Sequence, residues 1–138
     1  MSPEVVETAG SEETEALGAT LAGRLRPGDV VVVSGEVGAG KTTLVRGACR
    51  ALGVTAPVTS PTFTIGRLYA GRVAIAHLDL HRLSSLAEED PGLLDDYLTS
   101  DRVGFVEWPE VAGAELPRVA RRVHLAHLGG DRRRVEVN

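Results

Sequence analysis

Gly35-Glu36-Val37-Gly38-Ala39-Gly40-Lys41-Thr42 matches, at every fixed position, the phosphate-loop pattern G-x-x-x-x-G-K-[ST]. Before it lies Asp29-Val30-Val31-Val32-Val33-Ser34, an apolar β-branched run that predicts a fully buried strand. After it, from Lys41 to Leu52, residues Leu44, Val45, Ala48, Cys49 and Leu52 fall on one helical face. The motif thus sits between a strand and a helix, the context it requires. There, Gly35, Gly38 and Gly40 allow positive φ and close approach to a polyphosphate. The loop amides of Gly35 to Thr43, with Glu36, Val37 and Ala39 between the glycines, then face the anion at the positive end of the helix dipole. Lys41 is expected to reach the β- and γ-phosphates, and the Thr42 hydroxyl to ligate Mg²⁺.

Composition points the same way. Of 15 basic residues, Lys41 is the only lysine; arginine serves wherever a generic cation suffices. The retained lysine is the one that must thread a compact ammonium through the loop, where a planar guanidinium fits badly.

The chain of 138 residues is long enough for one domain, residues 1–138, that buries a core without disulfide or metal support. A single cysteine, Cys49, excludes an internal disulfide and suits a reducing cytoplasm. Its place on the apolar helix face reads as core packing rather than chemistry. With no basic, apolar leader and no apolar run near 18 residues, the expectation is a soluble cytoplasmic protein with no membrane role. A formal net charge of −4 argues against unaided tight binding to nucleic acid, whose affinity comes largely from phosphate neutralisation.

Outward from the loop, Val5–Thr8 is a candidate strand, and Ser11 is a candidate N-cap for a helix to about Leu25. Gly53 ends the loop helix. Four hydroxyls fall between Thr59 and Thr64 around Pro61, where P-loop switch proteins keep the segment that senses γ-phosphate and Mg²⁺; Ser60, Pro61 and Thr62 are the candidate switch. The alternative is a polar edge strand interrupted by proline. Gly66–Tyr69 and Val73–Asp79 read as paired strands, the second with Ile75, His77 and Asp79 on one face and Ala76, Leu78 and Leu80 on the other. A short helix follows around Leu93–Leu98. A strand at Val103–Val106 leads to Glu107, and Pro109 opens a helix to about Leu116. Arg122–Leu128 and Arg132–Val137 alternate about Gly129-Gly130-Asp131, a hairpin signal. The order of elements predicts an α/β P-loop NTPase fold, one domain with a mixed parallel and antiparallel sheet flanked by helices.

Glu107 and Asp79 both end strands, so two carboxylates compete for the metal-anchoring and water-positioning roles. The preferred assignment gives Mg²⁺ to Glu107 with Thr42, and positioning or sensing to Asp79, with Lys41 completing the catalytic set. His77, Asp79 and His81 could instead hold Zn or Fe. No cysteine or further histidine lies nearby in sequence to complete that shell, so His77 is read as a hydrogen-bonding residue behind the site. Trp108 either stacks on a base or partner, or closes the core. The cluster Arg132-Arg133-Arg134 is read as a solvated strand pair, or as a contact to RNA phosphates within a larger complex. No Asn/Thr-Lys-x-Asp element is present, which favours ATP over GTP.

Taken together, Gly35–Thr43 (GEVGAGKTT), Ser60–Ile65 (SPTFTI), His77–Leu83 (HLDLHRL), Gly92–Leu98 (GLLDDYL) and Glu107–Glu110 (EWPE) resemble, in order, the TsaE (YjeE) family of small P-loop ATPases of bacterial tRNA threonylcarbamoyladenosine synthesis. The chain departs from the family at His81, where Tyr is usual. The resemblance implies an ATPase that works with the TsaB–TsaD heterodimer, meets tRNA only through it, and uses ATP and Mg²⁺. It implies phosphate and Mg²⁺ binding by Lys41, Thr42 and Thr43, a switch role for Thr62, metal binding by Glu107, and support of hydrolysis by Asp79. A small-molecule P-loop kinase, or a nucleotide-dependent binding module without turnover, are the alternatives. The acidic character of residues 83–101 and the lack of a basic lid weigh against the kinase.

Overall fold

The tetravaline run is buried on both sides because β2 (Val30–Gly35) lies inside the sheet. Val31 and Val33 face one core, and Val30 and Val32 face another. This computed structural model describes residues 4–36, 38–59, 65–81, 92–112 and 115–138. Among these described residues, seven strands form one sheet in the order β1-β7-β6-β2-β5-β4-β3. The others are β1 (Glu4–Thr8), β3 (Gly66–Ala70), β4 (Ala74–Asp79), β5 (Arg102–Glu107), β6 (Val119–Gly129) and β7 (Arg132–Val137). The central four, β6-β2-β5-β4, run parallel; β1, β7 and β3 add antiparallel pairs at the two sides. The mixed α/β sheet predicted from the sequence is therefore the fold.

On one face pack α1 (Ser11–Ala22) and α2 (Lys41–Ala51), over a core that includes Leu44, Val45, Ile75 and Phe105. On the other face lies the short α3 (Leu93–Tyr97), with Leu94 and Leu98 against Ala76, Leu78 and Val106. The alternation expected in β4 holds: Ile75 joins the first core, Ala76 and Leu78 the second. Cys49 is fully buried in the first core, and burial pushes its thiol up to about 12, so it is an inert packing residue.

Helix α2 is fixed by contact of main chain with main chain. A Cβ on Gly18 of α1 would lie 2.1 Å from the Leu44 carbonyl oxygen, and one on Gly47 of α2 would lie 2.0 Å from that of Glu15. Two glycines thus let α1 lie directly on the helix that begins the phosphate site.

Four boundary expectations are corrected. Helix α1 ends at Ala22 rather than near Leu25, because Arg24 and Leu25 donate to Leu21 and Ala22 in i→i−3 bonds that tighten the chain out of the α-helix. Ser11 is its first residue rather than its cap; Gly10 holds the cap position, and the Glu13 carboxylate accepts the Ala9 N–H at 3.3 Å instead. Where a helix is expected from Pro109 to about Leu116, the described residues show a 3₁₀ turn at Pro109–Val111, and further on the Glu115 N–H donates to the Ala112 carbonyl in another i→i−3 bond. Proline at position 117 disfavours helical backbone at Leu116, and Trp108 enters the turn in the left-handed region, φ 59°. The hairpin's first strand also starts earlier than the alternation suggests: β6 pairs with β2 from Val119 to Leu125 and with β7 from Val123 to Gly129, overlapping in its middle.

Candidate functional site

Sheet order decides which residues meet. Because β5 is the neighbour of β2, with Val33 opposite Glu107, the carboxylate ending β5 lies beside the loop that leaves β2. Because β4 is the next neighbour, with Asp79 opposite Glu107, the second carboxylate lies one strand further on. All three ends open on the carboxyl edge of the parallel strands, where α/β sheets place ligands.

The loop has the backbone its glycines predict. Gly35, Gly38 and Gly40 have φ of 144°, 81° and 96°. At Gly35 a Cβ would fall 2.4 Å from the Leu125 carbonyl oxygen, so only glycine fits between loop and β6. Gly40 precedes α2, whose first turn carries Lys41, Thr42 and Thr43. Ala39 is buried, and Glu36 contributes its carbonyl to the loop. Val37 lies outside the described residues, as do Ser60, Pro61 and Thr62, the predicted switch.

Lys41 is folded back into the loop: its Nζ donates to the carbonyls of Gly35 at 2.7 Å and Glu36 at 2.8 Å. The same ammonium sits 4.3 Å from the centre of the Trp108 ring, a cation–π contact. Burial pulls its pKa below the ordinary lysine value, opposed by the negative charges of Glu107, Asp79 and Glu110.

Glu107 is almost fully buried, a position a carboxylate occupies only when well supplied with donors. Two donors are present. The Thr42 hydroxyl reaches its carboxylate oxygens at 2.9 and 3.2 Å, and His77 Nε2 lies 2.6 Å from Oε2. The opposite ring nitrogen, Nδ1, is buried with no hydrogen-bond partner. Hydrogen bonding to a carboxylate requires the donor at Nε2. His77 is therefore turned toward Glu107, while His81 leaves the strand and stacks on Trp108 at 4.7 Å and 23°. The proposed H-x-D-x-H ligands do not converge, and among the described residues no group of three His, Cys, Asp or Glu could hold a metal ion. The imidazole of His81 supplies an aromatic face to Trp108. Asp79, half-buried, accepts the His81 amide at 3.0 Å.

Trp108 carries left-handed backbone, which costs a bulky residue about 1–3 kcal/mol. Its ring contacts with Lys41 and His81 accompany that conformation. Gly38, Gly40, Lys41, Thr42, Thr43, Asp79, His81, Glu107, Trp108 and Arg133 line one open cavity of about 420 Å³. The donor set at its floor, a hydroxyl and a carboxylate, is oxygen chemistry of the kind Mg²⁺ takes when it shares its shell with phosphates and water. The residues thus fit that ion.

Arg133 was read with its neighbours as solvated, and it is not. It alternates in phase with Val135 and Val137, which pack into the core under α2. That phase was the available signal: a period-2 strand carries Arg133 to the face of the phosphate loop, whereas Arg132 and Arg134 are exposed.

A glycine loop that delivers main-chain amides to the start of a helix is the anion-receiving device of P-loop proteins, and fold and site make this chain one of them. More particularly, the chain belongs to the TsaE family: the sequence profile of "Threonylcarbamoyl adenosine biosynthesis protein TsaE" matches residues 8–135. It is 37% identical over 129 residues to a tRNA threonylcarbamoyladenosine biosynthesis protein TsaE of Bacillus subtilis, covering 93% of this chain and 80% of the relative. A protein of the same name from Streptomyces coelicolor is 44% identical over 118 residues, with 83% and 80% covered. Among solved structures, that of Bacillus subtilis YdiB superposes with a TM-score of 0.79 at 30% identity, covering 99% of this chain and 86% of that one.

Proposed function

We propose that this chain is an Mg²⁺-dependent P-loop ATPase that serves bacterial tRNA threonylcarbamoyladenosine synthesis as an accessory subunit, its ATP cycle licensing turnover of the TsaB–TsaD heterodimer. The observation that carries the reading is the contact of Thr42 with Glu107 at the mouth of a loop already closed on Lys41. A metal bound there would neutralise phosphate charge.

The chain's own residues account for the remaining tasks. Loop amides and the start of α2 bind the phosphates, and Lys41 exchanges its two carbonyl partners for phosphate oxygens. His77 holds the Glu107 carboxylate in one orientation. Asp79 lines the cavity one strand away, which supports the reading that it orients a water. Trp108 and His81 wall the side opposite the loop. The acidic net charge suits a protein that meets tRNA through its partners, in the cytoplasm. None of the described helices is long and apolar enough to cross a membrane.

The test is reconstituted tRNA modification under multiple turnover, with phosphate release followed with and without TsaB–TsaD. Hydrolysis is expected to be slow alone and productive with the partners. Lys41→Ala is expected to lower nucleotide affinity and abolish multiple turnover; full modification with that variant would sink the mechanism. Transfer of phosphate to a metabolite would establish the kinase instead, and binding without hydrolysis in any mixture the passive module.

A further inference from the structure

The terminal hairpin touches the phosphate loop through Arg133. Its Nε donates to the Ala39 carbonyl at 3.1 Å and its Nη2 to the Gly38 carbonyl at 3.0 Å. Its Nη1 turns back to the carbonyls of Gly130 and Arg132 in the hairpin, each at 3.0 Å. These bonds occupy four of the five N–H groups of a guanidinium. Little donor capacity is left for an anion, so the side chain acts on the loop itself.

Its effect follows from peptide geometry. Every described peptide is trans, so each carbonyl points opposite to the N–H of the following residue. Holding the Ala39 carbonyl therefore orients the Gly40 amide, and holding that of Gly38 orients the Ala39 amide, which here closes a turn onto the Glu36 carbonyl at 3.1 Å. Gly40 has no Cβ and a φ of 96°, so its own conformational preference is weak. Without an external tie, this part of the loop would sample several arrangements.

We propose that Arg133 is a positioning residue for the phosphate loop. It ties down the Gly38 and Ala39 carbonyls, and with them the Gly40 amide and the Glu36–Ala39 turn, before nucleotide arrives, so that binding does not bear the cost of ordering them. The inference rests on the reading of this loop as the ATP site, yet its physical content concerns the empty loop and can be measured there.

The first measurement is amide hydrogen exchange on the nucleotide-free protein, comparing wild type with Arg133→Gln and Arg133→Lys. Exchange at Ala39 and Gly40 is expected to quicken about tenfold or more in both variants, since neither replacement has a planar fork that can bond both loop carbonyls while a third nitrogen stays anchored to the hairpin. Amides of β2 serve as the control for global stability and should be unchanged. The second is affinity for Mg·ATP and Mg·ADP, expected to weaken by a similar factor of about ten for both. Loss confined to ATP, or weaker binding with unchanged exchange at Ala39 and Gly40, would put the guanidinium on the phosphates and overturn the proposal. Unchanged exchange with unchanged affinity would overturn it equally. Should the wild type bind no Mg·ATP, the functional reading falls, and the exchange comparison alone still decides the role of Arg133.

Discussion

The two walls of the cavity are built from different materials. On the loop side, at Gly35, Glu36 and Gly38 to Gly40, the wall is main chain: glycines at positive φ, carbonyls bonded to Lys41 and Arg133, and the start of α2. Across from it the wall is side chain: Glu107 held by Thr42 and His77, Asp79, and Trp108 between His81 and Lys41. A main-chain wall has its shape set by sterics, so added volume disrupts the fold itself. A side-chain wall stands on sheet register and hydrogen bonds, so an isosteric exchange leaves the fold standing and alters only the chemistry. The comparison predicts opposite patterns of damage.

The largest effect is expected on the main-chain wall. Gly35→Ala sets a Cβ 2.4 Å from the Leu125 carbonyl oxygen and 3.3 Å from the Ala39 Cβ, at a φ of 144°. The obstacle is backbone of the adjacent strand, which cannot rotate away. A loss of about 3 kcal/mol in unfolding free energy is expected, from strain and displaced packing together. Urea denaturation measures it; a variant as stable as wild type would show that the loop yields, and the proposed contrast would collapse.

On the other wall, Glu107→Gln keeps the shape of the side chain. The amide oxygen can still accept from His77 and the amide N–H can donate to the Thr42 hydroxyl, so stability should change by no more than about 1 kcal/mol. Function should suffer instead: losing the charge that faces the proposed metal is expected to reduce hydrolysis about 100-fold, with the Mg²⁺ dependence of nucleotide binding weakened. Stability data and phosphate release on one preparation read both halves of the contrast. Hydrolysis at the wild-type rate would remove Glu107 from the site.

How far the two walls could be read from sequence follows the same division. The main-chain wall was legible because its geometry is local: glycine spacing, a β-branched run and an amphipathic helix all lie within Asp29–Leu52, and the predicted strand, loop and helix are found there. Asp79 and Glu107 were legible only as strand ends; their convergence on the cavity that Thr42 also lines needed the strand order β2-β5-β4, which sequence alone does not supply. His77 was legible as a hydrogen-bonding residue behind the site, but not its partner, and the role of Arg133 went unread. His77 ties to Glu107 across two neighbouring strands, 30 residues apart. Arg133 looks like one of three exposed arginines until the phase of Val135 and Val137 is carried back to it. The 3₁₀ turn at Pro109–Val111 was overestimated as a helix because proline at a helix start is a common sign, while the restraint from Pro117 acts from the far end.

The smallest expected effect joins the walls, and it concerns a proton. Lys41 belongs to the loop but packs on Trp108, and its pKa is lowered chiefly by burial, with Glu107, Asp79 and Glu110 pulling the other way. In the window between that lowered value and the ordinary 10.5, the unfolded chain holds the lysine proton while the folded chain has lost it. Stability therefore gains with rising pH through this window, and the penalty for burying the ammonium is present in full below it. Nucleotide reverses the sign. Phosphate charge beside Nζ favours the ammonium, so the pKa rises on binding, protons are taken up in the alkaline range, and affinity falls as pH climbs through the nucleotide-free value. Calorimetric titration of Mg·ATP in two alkaline buffers of different ionisation enthalpy counts that uptake, expected as a fraction of one proton per site. Lys41→Met should abolish the uptake and, free of the buried charge, unfold at a higher temperature than wild type at neutral pH. Tight binding with no proton uptake at any alkaline pH would mean that Lys41 stays with the carbonyls of Gly35 and Glu36 when the site is filled, and that the two walls do not communicate through it.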